Sequence, residues 1–415
     1  MKIKQIRARQ LLDSRGNPTI ETELITKHYT ARAIVPSGAS TGVHEALELR
    51  DGKKSYGGKS VSKAISSVNT LSKSLKGKEF THQQEFDELL LSIDGTKNKT
   101  KFGGNAILSL SMAFSRALAQ EHHLPLYKQI ANDFHTKSPT LPIPFANVIN
   151  GGVHAGNELE LQEFMIAPVK AKSFSEATEI VSETYHELKD IIRKRYGKEA
   201  VNVGDEGGFA PPIRSPDQAL NLIMKALENT GHDRKTAIAM DPAASEFYHK
   251  NKTYTTKQLK PIQLARMYTR LTEKYPLISI EDPFEQDDFQ SWKGFMAHHE
   301  NLQIVGDDLT VSNPIRVKQA IEQNLCNALL LKINQVGTIF ESLASAYLAQ
   351  KARWNVMVSH RSGETEDTYI SDLTVGLGMG QIKLGAPARG ERTAKYNQLL
   401  RIEEELGRKA KYARF

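Results

Sequence analysis

Six short apolar runs, each ending in an ionisable residue, follow one another through the second half of this 415-residue chain. The run ends lie at intervals of 40, 26, 25, 28 and 23 residues, enough each time for a loop, a helix and the next strand. So many βα units in succession predict a (β/α) barrel, whose chemistry gathers at the carboxyl ends of its strands. The runs and their last residues are AIAMD with Asp241, LISIE with Glu281, QIVGD with Asp307, LLLK with Lys332, VMVSH with His360 and GQIK with Lys383.

Amphipathic segments lie between these runs and predict the outer helices of the barrel. Their apolar faces are Leu264, Tyr268, Leu271 and Tyr275 before the second run, and Ile339, Leu343 and Tyr347 after the fourth.

The first part of the chain has a different pattern. Residues 3 to 24 are typical of a strand, a turn at DSRGNP and an alternating strand through Ile20, Thr22 and Leu24. A helix follows Gly103 and Gly104, with Ile107, Leu110, Phe114 and Leu118 on one face. The Pro-rich stretch at 138–144 indicates a boundary, so we expect an N-terminal α+β domain over 1–135 and the barrel over 136–415.

Composition limits the class of protein. The mean hydropathy of −0.44 and the lack of a long apolar run argue against a membrane span. The first residues lack the apolar core of a signal peptide, so we expect a cytoplasmic protein. The one cysteine, Cys326, can form no internal disulfide and has no metal-ligand spacing around it, which favours a packing role.

The chain is basic, with a formal charge of +7 and a pI of about 9.1. Few aromatic residues interleave the lysines of residues 53–78 and no nucleic-acid-binding motif accompanies them, so the charge favours a solvated surface over dedicated nucleic-acid binding. A positive field is equally suited to attracting a small anionic substrate.

Three of the run ends are carboxylates: Asp241, Glu281 and Asp307. Each alone is as well explained by capping the following helix. On three consecutive units, without histidine or cysteine among them, they favour Mg²⁺, which prefers oxygen ligands. Lys332 and Lys383 would face the same pocket, and cationic neighbours would push one lysine toward its neutral, basic form. A single lysine after an apolar run is otherwise explained by a side chain that reaches water.

Two more carboxylates lie upstream, Glu163 in LQEFMIAP and Glu206 in NVGDEGGFAP. The glycines beside Glu206 permit a backbone path that presents its carboxyl group into a cleft. Ordinary turn chemistry explains Glu206 equally well when it is considered alone.

Dispersed blocks along essentially the whole chain resemble those of the enolase family. They are DSRGNPT, VPSGASTG, HEALELRDG, NVINGG, LQEFMIAP, NVGDEGGFAP, IEDPF, GDDLTV, LLLKINQVGT, SHRSGETED, GQIKLGAPARGER and NQLLRIEEELG. The resemblance implies an N-terminal α+β domain and a barrel that opens with two antiparallel strands before the six βα units. It also implies a glycolytic hydro-lyase that interconverts 2-phosphoglycerate with phosphoenolpyruvate, using two Mg²⁺ ions per site.

The resemblance assigns roles to matching positions. Asp241, Glu281 and Asp307 match the ligands of one Mg²⁺, and Ser40 matches the serine that closes over a second. Lys332 matches the general base and Glu206 the general acid, with Glu163 as its partner and expected to raise the pKa of Glu206. The matching substrate contacts are His154, Gln162, His360, Arg361, Ser362 and Lys383.

Departures from the family pattern are small: Pro242 after Asp241, the block TVGLGMGQIKLG before Lys383, and a short HYTARAIVPSG. One alternative is another barrel of the enolase superfamily, acting on a different carboxylate acid with a changed phosphate site. A second is an enolase-fold protein with an additional binding role, toward RNA-processing partners or at a cell surface. The resemblance implies a homodimer or an octamer built of dimers.

Overall fold

A computed structural model describes residues 1–38, 42–52, 54–136 and 138–415 of the chain. The strands are β1 (Gln5–Leu12), β2 (Pro18–Ile25), β3 (Thr30–Ile34), β4 (Ile143–Asn150), β5 (Glu163–Ala167), β6 (Ala237–Asp241), β7 (Leu277–Glu281), β8 (Gln303–Gly306), β9 (Ala328–Leu331), β10 (Asn355–Ser359) and β11 (Gly380–Lys383). The α-helices are α1 (Ser62–Leu75), α2 (Gln83–Asp94), α3 (Gly104–Glu121), α4 (Leu126–Asp133), α5 (Phe174–Tyr196), α6 (Pro216–Thr230), α7 (Pro261–Lys274), α8 (Phe289–His298), α9 (Pro314–Gln323), α10 (Ile333–Val336), α11 (Ile339–Lys351), α12 (Tyr369–Leu377) and α13 (Gly390–Leu406).

The N-terminal part is an antiparallel sheet of β1, β2 and β3 with helices packed against it. The expected strand, turn and strand are present, with Ile6 paired to Leu24. The alternating strand β2 is almost wholly buried. Helix α3 covers one face, and the acidic side chains of the other face are covered by Arg9 and Arg32, whose guanidinium groups bind Glu23.

Helix α3 is the centre of this domain, and its predicted apolar face is fully buried. The helix starts where the backbone passes very close to the segment at 46–49. A Cβ on Gly103 would lie 2.4 Å from Cβ of Leu49, and Gly103 also has a φ of +89°. Both conditions require glycine, which explains the Gly-Gly start.

The second part is a closed barrel in the order β4 to β11, with β11 paired to β4. The six apolar runs form β6 to β11, so the (β/α) barrel predicted from them is confirmed. Strand β5 is antiparallel to both β4 and β6, whereas β4 is parallel to β11. The expected antiparallel opening of the barrel is therefore present, and only β5 is reversed among the barrel strands.

The outer helices follow the predicted apolar faces with one exception. Leu264, Tyr268 and Leu271 of α7 are fully buried, but Tyr347 of α11 is 50% exposed, because only one side of α11 faces the barrel. Cys326 is a buried free thiol, as expected. Among the described residues, no helix has both the length and the apolar character needed to cross a membrane.

The two parts of the chain share a buried polar contact at the amino end of α11. One carboxylate oxygen of Asp87, in α2, accepts hydrogen bonds from Gln83 Nε2 at 3.0 Å, Ser111 Oγ at 2.9 Å and the Phe340 backbone N–H at 2.9 Å. Ser111 Oγ in turn accepts the Ile339 N–H at 2.9 Å. N-terminal side chains therefore satisfy two of the otherwise unpaired first N–H groups of a barrel helix.

Candidate active site

The carboxyl ends of the barrel strands bring the predicted residues together. Asp241, Glu281 and Lys383 are the last residues of β6, β7 and β11, and Lys332 directly follows β9. Because these strands run in parallel, their ends meet at one mouth of the barrel. The residues that line the common cavity there are His154, Gln162, Glu163, Glu206, Lys332, Ser359, His360, Arg361, Ser362 and Lys383.

Lys383 is a cation paired with three carboxylates of the site. Its Nζ lies 2.9 Å from Oδ2 of Asp241, 2.9 Å from both carboxylate oxygens of Glu281 and 3.1 Å from Oε2 of Glu163. Burial opposes the charge of the ammonium, but these carboxylates outweigh burial and raise the pKa of Lys383 well above its usual value. Lys383 is therefore a charged residue that holds three acids in place.

Lys332 pairs with Asp307, whose other oxygen accepts a hydrogen bond from Gln335 Nε2 at 2.8 Å. The sequence led us to expect a lysine pushed toward its neutral form, and this arrangement does the opposite. Burial alone would lower the pKa of Lys332, but the adjacent charge of Asp307 raises it. The expected cationic surroundings are outweighed because Asp307 lies against the ammonium.

The three carboxylates predicted to bind Mg²⁺ surround ammonium groups in this structure. In the described part of the chain, two groups of three side chains have possible metal-ligand atoms within 4.8 Å of one another: His154–Glu163–Glu206 and Asp282–Asp307–Asp308. Asp241, Glu281 and Asp307 do not form such a compact group. They nevertheless suit a divalent cation, because all three are buried hard oxygen donors already arranged around positive charge.

Asp282 holds the backbone of one of these acids. Its two carboxylate oxygens accept the N–H groups of Asp307 at 2.9 Å and Asp308 at 2.8 Å. Asp282 itself has a φ of +39°, an uncommon conformation for a residue other than glycine. Because Asp282 directly follows Glu281 and its side chain accepts the N–H of Asp307, it links two of the predicted metal ligands.

The carboxyl groups of Glu163 and Glu206 face one imidazole: Nδ1 of His154 lies 3.6 Å from Glu163 Oε1 and 3.7 Å from Glu206 Oε1. Burial and the charge of Glu206 raise the pKa of Glu163 well above its usual value. Burial also opposes ionisation of Glu206, but His360, His154 and Arg392 outweigh it and hold the pKa of Glu206 well below its usual value. The pKa of Glu206 is thus shifted opposite to the expected direction, because His360, His154 and Arg392 lie beside it, and Glu163 is the member of the pair whose pKa is raised.

Arg392 orders the loop that carries His360. Its fully buried guanidinium donates to the carbonyl oxygens of Arg361 at 2.6 Å, Ser362 at 2.6 Å and Asp205 at 3.0 Å. It also donates to Nδ1 of His360, so the ring proton of a neutral His360 lies on Nε2. Burial lowers the pKa of His360 to about 3, and its Nε2 faces Glu206 Oε2 at 3.3 Å.

Arg361 is a buried cation at the same mouth. Its guanidinium donates to Glu45 at 3.1 and 3.3 Å and to Asn334 Oδ1 at 3.0 Å. Two neighbouring polar atoms, Gln162 Oε1 and Ser362 Oγ, are buried without a hydrogen-bond partner. A buried guanidinium beside the unpaired hydroxyl of Ser362, which is able to donate, suits a phosphorylated ligand. Ser40, the residue expected at a second Mg²⁺, lies outside the described residues.

Comparison with family models identifies the family to which this pair of domains belongs. Residues 3–130 match the model described as enolase, N-terminal domain, and residues 138–414 match enolase, C-terminal TIM barrel domain. The chain belongs to the enolase family. Membership implies an enolase-type lyase, with acidic clusters at the barrel mouth that are able to hold metal.

Sequence reasoning about this enolase-family chain missed three residues of the site: Asn147, Glu45 and Arg392. Asn147 donates its amide to Glu206 at 3.0 Å, Glu45 binds Arg361, and Arg392 orders the His360 loop. The only signal for Asn147 was a polar residue inside the apolar run IPFANVIN. Glu45 and Arg392 lie in the quoted blocks HEALELRDG and GQIKLGAPARGER, but one charged residue among several gave no reason to single them out.

Proposed function

We propose that this protein catalyses the reversible dehydration of 2-phosphoglycerate to phosphoenolpyruvate. The observation that carries the proposal is one buried cavity lined by two lysines, a Glu163–Glu206 pair and Arg361. An elimination next to a carboxylate needs a base, an acid and positive charge for the electron-rich intermediate, and this set offers all three.

Lys332 is the proposed base that removes the α-proton. Its ammonium is paired with Asp307 in this structure, and a paired ammonium cannot accept a proton. Lys332 therefore acts as a base only after its ammonium releases a proton to solvent, and loss of the pairing with Asp307 lowers its pKa and favours that release. Lys383 keeps its charge, since several carboxylates surround it, and places that charge beside the substrate carboxylate.

Asp241, Glu281 and Asp307 are the proposed Mg²⁺ ligands, and Ser40 the proposed contact of a second ion. Bound Mg²⁺ would supply positive charge to stabilise the additional negative charge that forms beside the substrate carboxylate when the α-proton is removed. The chain itself contributes the carboxylates, held in place by Asp282 and Gln335 through the hydrogen bonds to the Asp307 backbone and side chain.

Glu206 is the proposed acid that protonates the leaving hydroxyl. Because the pKa of Glu163 is raised and that of Glu206 is lowered, we propose that a proton passes from Glu163 to Glu206 before hydroxide departs. His154 faces both carboxyl groups and is the nearest residue able to relay it. Arg361 and Ser362 are proposed to bind the phosphate, with Gln162 and His360 as further substrate contacts.

The test is an absorbance assay for phosphoenolpyruvate formation, with and without Mg²⁺. We expect activity that disappears with a chelator and returns with the metal. In deuterated water, Glu206→Gln should still exchange the α-hydrogen of 2-phosphoglycerate while making almost no product, and Lys332→Ala should do neither. Lys411→Ala, at an exposed lysine beyond the last helix, is the matched control and should do both. Normal exchange by Lys332→Ala together with none by Glu206→Gln would mean that the acid and base are reversed.

The rival within the superfamily is a barrel that acts on an unphosphorylated acid. Arg361 and Ser362 at the cavity argue against it, and turnover of unphosphorylated 2-hydroxy acids in preference to 2-phosphoglycerate would favour it. We also propose, from family membership, a cytoplasmic homo-oligomer with a domain border near residue 135, where the chain leaves α4 for the barrel.

A further inference from the structure

Asn147 is a buried residue of β4, the first barrel strand, and its side-chain amide forms a hydrogen bond to Glu206. Its side chain has no exposed surface, and its Nδ2 donates to Oε2 of Glu206 at 3.0 Å. The pairing of β4 with β5 shifts register between Asn147 and Ile149. Such irregularities re-aim side chains next to active sites, and here the shift begins at the residue that binds Glu206.

Stability does not explain an asparagine at this position. The Oδ1 of Asn147 is buried without a hydrogen-bond partner. An unsatisfied buried acceptor costs about 1–3 kcal/mol, whereas one hydrogen bond returns about 0.5–1.5 kcal/mol, or somewhat more when the acceptor is charged. An apolar side chain of the same size would serve packing at least as well, so the amide needs another explanation.

The hydrogen bond makes the two oxygens of Glu206 different. Oε2 accepts the amide of Asn147 at 3.0 Å, and Nε2 of His360 lies 3.3 Å away without making a hydrogen bond. Oε1 faces Nδ1 of His154 at 3.7 Å, on the side of Glu163. A proton on Oε2 would oppose the N–H of Asn147, so the acid form of Glu206 carries its proton on Oε1.

We propose that Asn147 is the positioning residue for the acid step: it directs the transferable proton of Glu206 to Oε1 and stabilises the carboxylate that remains after transfer. This inference rests on the function proposed above. It concerns only the departure of hydroxide, because Asn147 binds the acid of the Glu163–Glu206 pair and makes no hydrogen bond to Lys332. Loss of the amide should therefore slow elimination and spare removal of the α-proton.

The test compares two rates in the same Mg²⁺-loaded protein in deuterated water: exchange of the α-hydrogen of 2-phosphoglycerate, followed by NMR, and formation of phosphoenolpyruvate. Asn147→Leu and Asn147→Asp keep the size of the side chain and remove the amide donor. We expect both variants to form product about 30-fold more slowly or worse, equivalent to about 2 kcal/mol in barrier, while exchange stays within about threefold of the wild-type rate.

Val148→Ala is the matched control, since it alters a fully buried neighbour on the same strand that has no polar group to offer Glu206. It should lower the thermal midpoint and leave the ratio of the two rates unchanged. If Asn147→Leu does not fold, Asn147→Asp and Asn147→Ala carry the comparison. Equal loss of both rates, or loss of neither, would overturn the role of Asn147. Failure of the wild type to perform either reaction would instead overturn the proposed function.

Discussion

Asp87 is predicted to make the protein less stable as pH rises through neutrality. Its carboxyl group is completely buried at the contact between α2 and α11, where Oδ2 accepts three hydrogen bonds and Oδ1 has no partner. Burial raises the pKa of Asp87 from 3.8 to about 7, despite the hydrogen bonds from Gln83, Phe340 and Ser111. Asparagine has the shape of the neutral acid and cannot ionise, so Asp87→Asn isolates the effect.

The sign follows from proton binding. Below about pH 4 both the folded and the unfolded protein carry the proton. Between about pH 4 and about pH 7 only the folded protein carries it, so unfolding releases a proton and rising pH lowers the free energy of unfolding. A difference of about 3 units in pKa corresponds to about 4 kcal/mol, of which about 3 kcal/mol falls between pH 5 and pH 8.

The assay is urea unfolding of wild type and Asp87→Asn at several pH values, followed by the fluorescence of Trp292 and Trp354, both buried in the barrel part. Subtracting the two curves removes the groups common to both proteins. We expect Asp87→Asn to gain about 3 kcal/mol relative to wild type between pH 5 and pH 8. A difference that stays constant over this range would refute the reasoning, because it would show that Asp87 does not change its charge there.

Three further predictions concern the barrel mouth. Lys383→Met leaves Asp241, Glu281 and Glu163 without their shared ammonium, so the free energy of unfolding in metal-free buffer should fall by about 3–5 kcal/mol. Thermal denaturation should then show a larger stabilisation by Mg²⁺ than in wild type, and an equal response to Mg²⁺ would contradict this. The lysine of Arg392→Lys cannot donate to the carbonyl oxygens of Arg361, Ser362 and Asp205 together, so denaturant titration should show a free energy of unfolding lower by about 2–4 kcal/mol. An unchanged denaturation midpoint would mean that these three hydrogen bonds do not stabilise the protein. Pro242→Val should change the turnover number by no more than about tenfold, or about 1.4 kcal/mol in barrier, because the hydrogen bond from the Ala243 N–H to the Asp241 carboxylate does not involve residue 242. A loss of several orders of magnitude in the steady-state assay would contradict this.

The barrel could be predicted from the sequence because its signal is local. Each run such as LISIE contains its own strand and its own terminal carboxylate, and the regular intervals then determine that the strands run in parallel. Tyr347 shows the limit of the same reasoning. A helical repeat of apolar residues indicates an inner face but not its width, and Tyr347 lies beyond the edge that the barrel covers.

The directions of the pKa shifts could not be predicted because they depend on groups that are distant in the chain. Glu163 was expected to raise the pKa of Glu206, and two nearby carboxylates alone justify only that one of the pair is protonated. Which one it is depends on Arg392 and His360, brought to Glu206 by a later helix and a later loop. Likewise, Lys332 was assigned to a cationic pocket, but the contact with Asp307 decides the direction of its pKa.

The backbone of Glu163 is held by the reversed strand β5, whereas the backbone of Glu206 is not part of a strand. Glu163 begins β5, where it is paired on one side with Asn150 and on the other with Asp241, whereas Glu206 lies in an irregular segment outside the barrel ladder. Local unfolding costs least where the backbone has few ladder bonds, so amide protons around Glu206 should exchange faster than those of β5. Warming the protein below its melting temperature would therefore loosen Glu206 first, and activity would be lost while the barrel itself was still intact.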